Sequence, residues 1–126
     1  MYDVAKITVV VSDLDASIRF YTETLGLKLK LRLSNRWAEI EAPGMIIGLR
    51  PRMDPDAVFV VGDSHLLIGL WVKDLEEARN TLEGRGVYFE GEAVEFDPVR
   101  LLFFNDPDLT PLYICQASSD FYQLLE

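Results

Sequence analysis

Two stretches of the chain share one order of apolar and polar positions. Residues 9–29 read VVVSDLDASIRFYTETLGLKL and residues 70–89 read LWVKDLEEARNTLEGRGVYF. Each runs apolar strand, Asp-Leu, amphipathic stretch, glycine, apolar strand. Asp13 and Asp74, 61 residues apart, stand where an N-cap belongs. A short carboxylate there accepts a hydrogen bond from one of the free amides of the first helical turn. Glu77, three residues after Asp74, has the spacing of a capping box. Leu14, Ile18, Tyr21 and Leu25 form one stripe at helical spacing, as do Leu75, Ala78 and Leu82. Gly26 and Gly86 follow, where a helix ends in a left-handed residue. A repeat of this kind, at half the chain length, predicts two copies of one supersecondary unit.

Three extended stretches follow each helix, at about 27–33, 36–42 and 45–50, and at about 87–95, 99–104 and 111–116. Period-two alternation assigns their faces. The helix-facing set is Ile7, Val9, Val11; Leu29, Leu31, Leu33; Ala38, Ile40; Ile47, Leu49 in the first half. In the second half it is Leu66, Ile68, Leu70, Val72; Val99, Leu101, Phe103; Leu112, Ile114. The opposite faces then carry Lys6, Thr8, Val10, Trp37, Glu39, Glu41, Gly48 and Arg50, and Leu67, Gly69, Trp71, Arg100, Leu102, Phe104, Tyr113 and Cys115. Large aromatics interleaved with a few charges of both signs are the composition of a small-molecule site. The predicted fold is therefore α+β: two tandem βαβββ modules, each a curled sheet with one helix on its outer face, enclosing a cavity. Module one covers about 1–53, a linker with Pro55 about 54–63, module two about 64–117 and a short tail 118–126. The linker region adds an edge or connecting strand, and Phe121, Leu124 and Leu125 of the tail cover an apolar surface.

Composition narrows the function. With 126 residues, 49% of them apolar, the chain has enough material for one domain with its own core. No run of 18 apolar residues is present, and the N-terminus reads as a first strand rather than a secretory leader. Cys115 is the single cysteine, so no internal disulfide forms, which fits a cytoplasmic location. A net charge of -9 argues against nucleic acid and anionic membranes as partners.

The segments VSDLDASIRFYTETLGLKL, WVKDLEEARNTLEGRGVYF and FFNDPDLTPLYI resemble the vicinal oxygen chelate superfamily, which includes glyoxalases, bleomycin-resistance proteins, fosfomycin-resistance enzymes and extradiol dioxygenases. Asp106, Pro107 and Asp108 match the family's Asp-Pro-Asp-Gly turn, with Leu109 in the glycine's place. The resemblance implies four metal-ligand positions, one on each of four equivalent strands. Here they fall on Lys6, Gly48, Leu67 and Tyr113, none of them a ligand for a hard or borderline ion. The expectation is a chain without cofactor that binds a small organic molecule, like the bleomycin-resistance type, and forms a homodimer. Its cavity would use Lys6, Trp37, Glu39, Glu41, Arg50, Trp71, Arg100, Phe104 and Tyr113. Trp37 and Trp71 either stack on a planar ligand or pack in a core or interface. Lys6, Arg50 and Arg100 either recognise a polar ligand group or pair with Glu39 and Glu41. Tyr113 either donates a hydrogen bond or plugs the metal position. Cys115 reads as a buried, inert thiol. Two other readings stay open: an enzyme, with Lys6 or a glutamate as acid–base group or a rearranged metal site of His65, Glu39 and Glu41, and a non-catalytic interaction module.

Overall fold

The computed structural model describes residues 1–52, 66–96 and 98–117. The chain forms two compact units, Met1–Val61 and Gly62–Glu126. The first unit contains β1 (Lys6–Val11), α1 (Leu14–Arg19), β2 (Lys28–Leu33), β3 (Trp37–Ala42) and β4 (Met45–Pro51). The second contains β5 (Ile68–Trp71), α2 (Leu75–Gly84), β6 (Val94–Phe96), β7 (Val99–Asn105) and β8 (Pro111–Ala117). The sheet orders are β1-β4-β3-β2 and β5-β8-β7-β6. In both units the last strand runs parallel to the first and antiparallel to the third. The repeated pattern is thus a repeated topology, and the fold is the predicted α+β pair of βαβββ modules.

The helix signals act as expected. The Asp13 carboxylate accepts from the Ala16 amide at 3.1 Å, and Asp74 accepts from the Glu77 amide at 3.1 Å. The return bond of a full capping box, from the Asp74 amide to the Glu77 carboxylate, is not made. α1 continues into a π-helical turn, Phe20–Thr24, closed by the Leu25 amide on the Phe20 carbonyl at 2.9 Å. Gly26 and Gly86 take φ of 79° and 95°, the left-handed conformation that lets the chain leave each helix. α1 packs on β3 and β4, burying Leu14 and Ser17, the π-helical turn buries Tyr21, and α2 packs on β8.

The core of the first unit contains Val9, Val11, Ala38, Ile40, Ile47 and Leu49, all on the predicted faces. The second unit buries Ile68, Leu112 and Ile114 as predicted. Three assignments are corrected. Leu29, Leu31 and Leu33 are not core: they are 46%, 36% and 54% exposed on edge strand β2. A bulge between Leu29 and Leu31 shifts the register, so Leu29 lies opposite Ile40 whereas Leu31 lies opposite Glu39. The leucines therefore do not share one face. In β7 the two faces are exchanged. Leu102 and Phe104 are buried and pair with Ile114 and Leu112, so Leu101 and Phe103 lie on the face away from α2. Four successive large apolar residues, 101–104, give alternation nothing to work on. The strand expected at 87–95 is confined to 94–96, because Gly91 turns the backbone at φ 71°. Leu66 and Leu67 precede β5 and are exposed. The expected linker strand falls largely, and His65 and the tail wholly, outside the described residues.

Asp106 organises the turn into β8: its carboxylate accepts from the amides of Asp108 (2.9 Å) and Thr110 (2.8 Å). Leu109 is held there at φ 66° with its side chain 52% exposed. A left-handed leucine costs roughly 1–2 kcal/mol, which glycine avoids at a smaller entropic cost. Leu109→Gly is expected to raise stability by about 0.5–1 kcal/mol in urea unfolding; unchanged or lower stability would refute the strain.

Candidate functional site

Each sheet has one face against its helix and one face away from it. On the open face of the first sheet, the strand registers set Thr8, Gly48, Glu39 and Leu31 in one row across β1, β4, β3 and β2. The next row is Lys6, Ile46, Glu41 and Lys28. Val10 lies opposite Arg50, and Leu33 opposite Trp37. Five predicted site residues, Lys6, Trp37, Glu39, Glu41 and Arg50, thus belong to one surface, with Gly48 among them.

Glu39 is at its centre. It is 4% exposed, and one carboxylate oxygen, Oε2, accepts from Lys6 Nζ at 2.6 Å and from Trp37 Nε1 at 2.9 Å. Both donors meet it over β4, where Gly48 has no side chain. A methyl group added at Gly48 would overlap the Trp37 ring, coming within 2.6 Å of Cζ2. Glycine inside a strand often marks such a close approach. The Lys6 hydrogen bond, then the Trp37 hydrogen bond, hold the Glu39 pKa below its ordinary value, with the charges of Lys6 and Lys30 adding to them and burial opposing. Glu39 is therefore a carboxylate at neutral pH. Of the charge pairs expected here, Lys6 with Glu39 forms. Beside it, Val4, Lys30, Glu41, Gly44, Met45 and Ile46 line an open hollow of about 470 Å³.

The open face of the second sheet is apolar but for Asn105 at the end of β7. Gly69, Tyr113 and Phe103 form one row, and Trp71, Cys115, Leu101 and Val94 the next. Tyr113 lies over Gly69, whose added methyl would overlap its ring, at 2.6 Å from Cε2. Phe103 and Tyr113 meet with ring centroids 6.0 Å apart. Trp71 is on this face and substantially exposed. Arg100 and Phe104 are not. Phe104 packs against Phe89 on the buried side, and Arg100 bonds Glu95 at 2.7 Å and approaches Glu76 of α2 at 4.0 Å. Arg100 pairs in register with Gln116, whose amide oxygen accepts from the Leu75 amide at the start of α2. Both predicted site residues belong to the helix side because β7 has the opposite parity from that expected. Phe103 and Leu101, absent from the predicted site, take their place. The glycines under Trp37 and Tyr113 were the signal for two ring positions that alternation alone does not give.

Cys115 is buried, and burial pushes its thiol pKa up, so it is a poor nucleophile. The positions that would hold a divalent ion carry an ammonium, no side chain, an isobutyl group and a phenol. Among the described residues no three His, Cys, Asp or Glu side chains converge on a point. The residues at these four positions do not fit a metal ion. Glu39, the buried carboxylate of this face, already has Lys6 as its cation.

The acid limb of stability tests this pair. A lowered pKa in the folded state gives stabilisation that is fully present above the ordinary value of 4.5 and is lost as pH falls through the folded value. Thermal unfolding from pH 7 to pH 3 is expected to show a shallower fall in Tm for Glu39→Gln than for the wild type. Parallel curves would mean that the Lys6–Glu39 pair contributes no such linkage. Gly48→Ala is expected to lower Tm at neutral pH and to displace the Trp37 ring, read as a shift in tryptophan emission.

The glyoxalase/bleomycin resistance protein/dioxygenase superfamily model matches residues 4–109. A glyoxylase/bleomycin resistance protein/dioxygenase domain from Frankia sp. EAN1pec is 24% identical, with a TM-score of 0.71 over 100% of this chain and 99% of that one. A glyoxalase/bleomycin resistance protein/dioxygenase from Nocardioides is 21% identical, with a TM-score of 0.74 over 94% and 85%. A lactoylglutathione lyase from Agrobacterium tumefaciens is 16% identical, with a TM-score of 0.71 over 90% and 92%. At these identities the structural likeness speaks for the fold. No curated protein sequence matches the chain. Among the described residues no helix is long and apolar enough to cross a membrane. With the family model covering most of the chain, and two βαβββ units of one topology, the chain belongs to the glyoxalase/bleomycin resistance protein/dioxygenase superfamily.

Proposed function

We propose that the chain binds a small organic molecule on its open sheet faces without a metal ion, and holds it rather than transforming it. The observation that carries this reading is the Lys6–Glu39–Trp37 cluster. A site built for metal chemistry needs lone pairs aimed at a vacant point. Here an ammonium and an indole N–H both bind one oxygen of the buried carboxylate, so its lone pairs are engaged within the protein rather than aimed at a vacant point. A carboxylate whose pKa is held low is also a weak general base. The second open face supplies aromatic area from Trp71, Phe103 and Tyr113 and, among the described strand residues, no charge. The second face by itself suits a planar or aromatic compound, and the first a compound that carries hydrogen-bonding groups.

The test is native mass spectrometry of the chain as purified, with and without chelator, followed by tryptophan-fluorescence titration with whatever organic adduct is found. Expected is an organic adduct retained after chelation, with Trp37→Ala or Trp71→Ala, whichever stands on the face that the adduct occupies, weakening its binding roughly tenfold. A divalent ion retained in stoichiometric amount, or turnover lost on chelation, would replace this reading with a metal enzyme. Unchanged affinity in both tryptophan variants would remove the stacking part.

A further inference from the structure

One residue of β2 stands outside the pairing of its strand. Leu29 lies opposite Ile40 and Leu31 opposite Glu39, consecutive positions of β3, so Lys30 is the extra residue of the bulge. Bulges re-aim side chains and recur beside functional sites. This one parts the basic residues of β2. Arg32 falls opposite Ala38, on the helix side, and bonds Asp15 of α1 at 2.7 Å. Lys30 instead lines the open hollow of about 470 Å³. All of the hollow's lining belongs to the first unit. Glu41 lines it too, in one row of the open face with Ile46. Val4, Met45 and Ile46 supply apolar wall.

We propose that this hollow takes a zwitterionic compound of the amino-acid class, its carboxylate against Lys30, its ammonium against Glu41 and its apolar part against Val4, Met45 and Ile46. The assignment rests on the reading of the chain as a small-molecule binder and names the class of molecule bound. Two charges of opposite sign border one hollow, and neither is engaged elsewhere. Among the described residues, neither the Lys30 nor the Glu41 side chain makes a hydrogen bond or an ion pair. Glu39, the other carboxylate that the charge of Lys30 reaches, already holds Lys6 at 2.6 Å. The in-register partner of Glu41 is Lys28, which does not line the hollow. An anion alone gains at Lys30 and is repelled at Glu41, and a cation alone meets the reverse. A ligand with both groups gains at both side chains. Two charges that served only to keep the surface wet would need neither a bulge to turn Lys30 out of register nor an apolar wall beside them. The volume falls within the roughly 300–1,000 Å³ of small-molecule pockets, room for a free amino acid or a dipeptide.

The experiment is isothermal titration calorimetry of the full chain at low salt with L-phenylalanine and with the dipeptide Ala-Phe. Two blocked derivatives are titrated beside them: N-acetyl-L-phenylalanine, which lacks the ammonium, and L-phenylalaninamide, which lacks the carboxylate. The same titrations are run on Lys30→Met and Glu41→Gln, with circular dichroism to confirm that each is folded. Expected is binding of at least one zwitterion, about tenfold or more tighter than that of either blocked derivative and weakening as salt rises. Whether the amino acid or the dipeptide binds more tightly tells which spacing of charged ends fits. Lys30→Met should level the preference for the zwitterion over its amide, and Glu41→Gln the preference over the N-acetyl derivative. Absence of binding by both zwitterions to the folded wild type would overturn the proposal. So would blocked derivatives that bind as tightly as the zwitterions, or a preference that survives both substitutions. Failure here is distinct from failure of the binder reading: a metal ion retained in stoichiometric amount removes the latter, while the calorimetric preference concerns the hollow alone.

Discussion

The open face of the first unit depends on a register. The parallel pairing of β1 with β4 sets Thr8 opposite Gly48, and the antiparallel pairing of β4 with β3 sets Gly48 opposite Glu39. A one-residue slip of either pairing would turn Gly48 into the core and bring Ile47 or Leu49 to the place where the Trp37 ring lies. The indole could then not lie flat, and the route by which Lys6 reaches Glu39 would be obstructed. The core and the site specify one another: the alternation that buries Ile47 and Leu49 on one side of β4 is what clears the other side over Gly48.

Much of the fold was legible in the sequence because its signals are local and duplicated. Two capping aspartates, two apolar stripes and two left-handed glycines recur in the same order, and each acts within a few residues of itself. The strands with true alternation, β1, β3 and β4, declared their faces, and Lys6, Trp37, Glu39, Glu41 and Arg50 came to one surface. Two kinds of strand did not. In β2 the leucines alternate with basic residues as a half-buried strand would, but the bulge and the edge position are long-range facts. In β7 the run Leu101–Phe104 is apolar on both sides, and only its pairing with β8 shows that Phe103, not Phe104, shares a face with Tyr113. Arg100 was drawn to the wrong face by the same ambiguity, and its real partners, Glu76 and Glu95, belong to the helix side.

The two units solve one packing problem with different open faces. Both bury an aliphatic layer against a single helix, and both let an aromatic ring lie over a strand glycine. The rings come from different strands: Trp37 from the third strand over the fourth, Tyr113 from the fourth over the first. One face consequently keeps a buried carboxylate with its own counter-cation, and the other carries no charge at its described strand positions. Residues with hydrogen-bonding capacity are thus concentrated in one half of the chain and aromatic area in the other.

Because most of each unit's core lies on the helix side of its sheet, the exposed open-face positions are free of the task of holding the fold. Thr8, Val10, Glu41 and Arg50, or Trp71 and Leu101, can change chemical type while Ile40, Ile47, Leu112 and Ile114 remain as they are. Such a scaffold separates heritable change in what it recognises from change in whether it folds, and a duplicated unit doubles the surface on which that variation can accumulate.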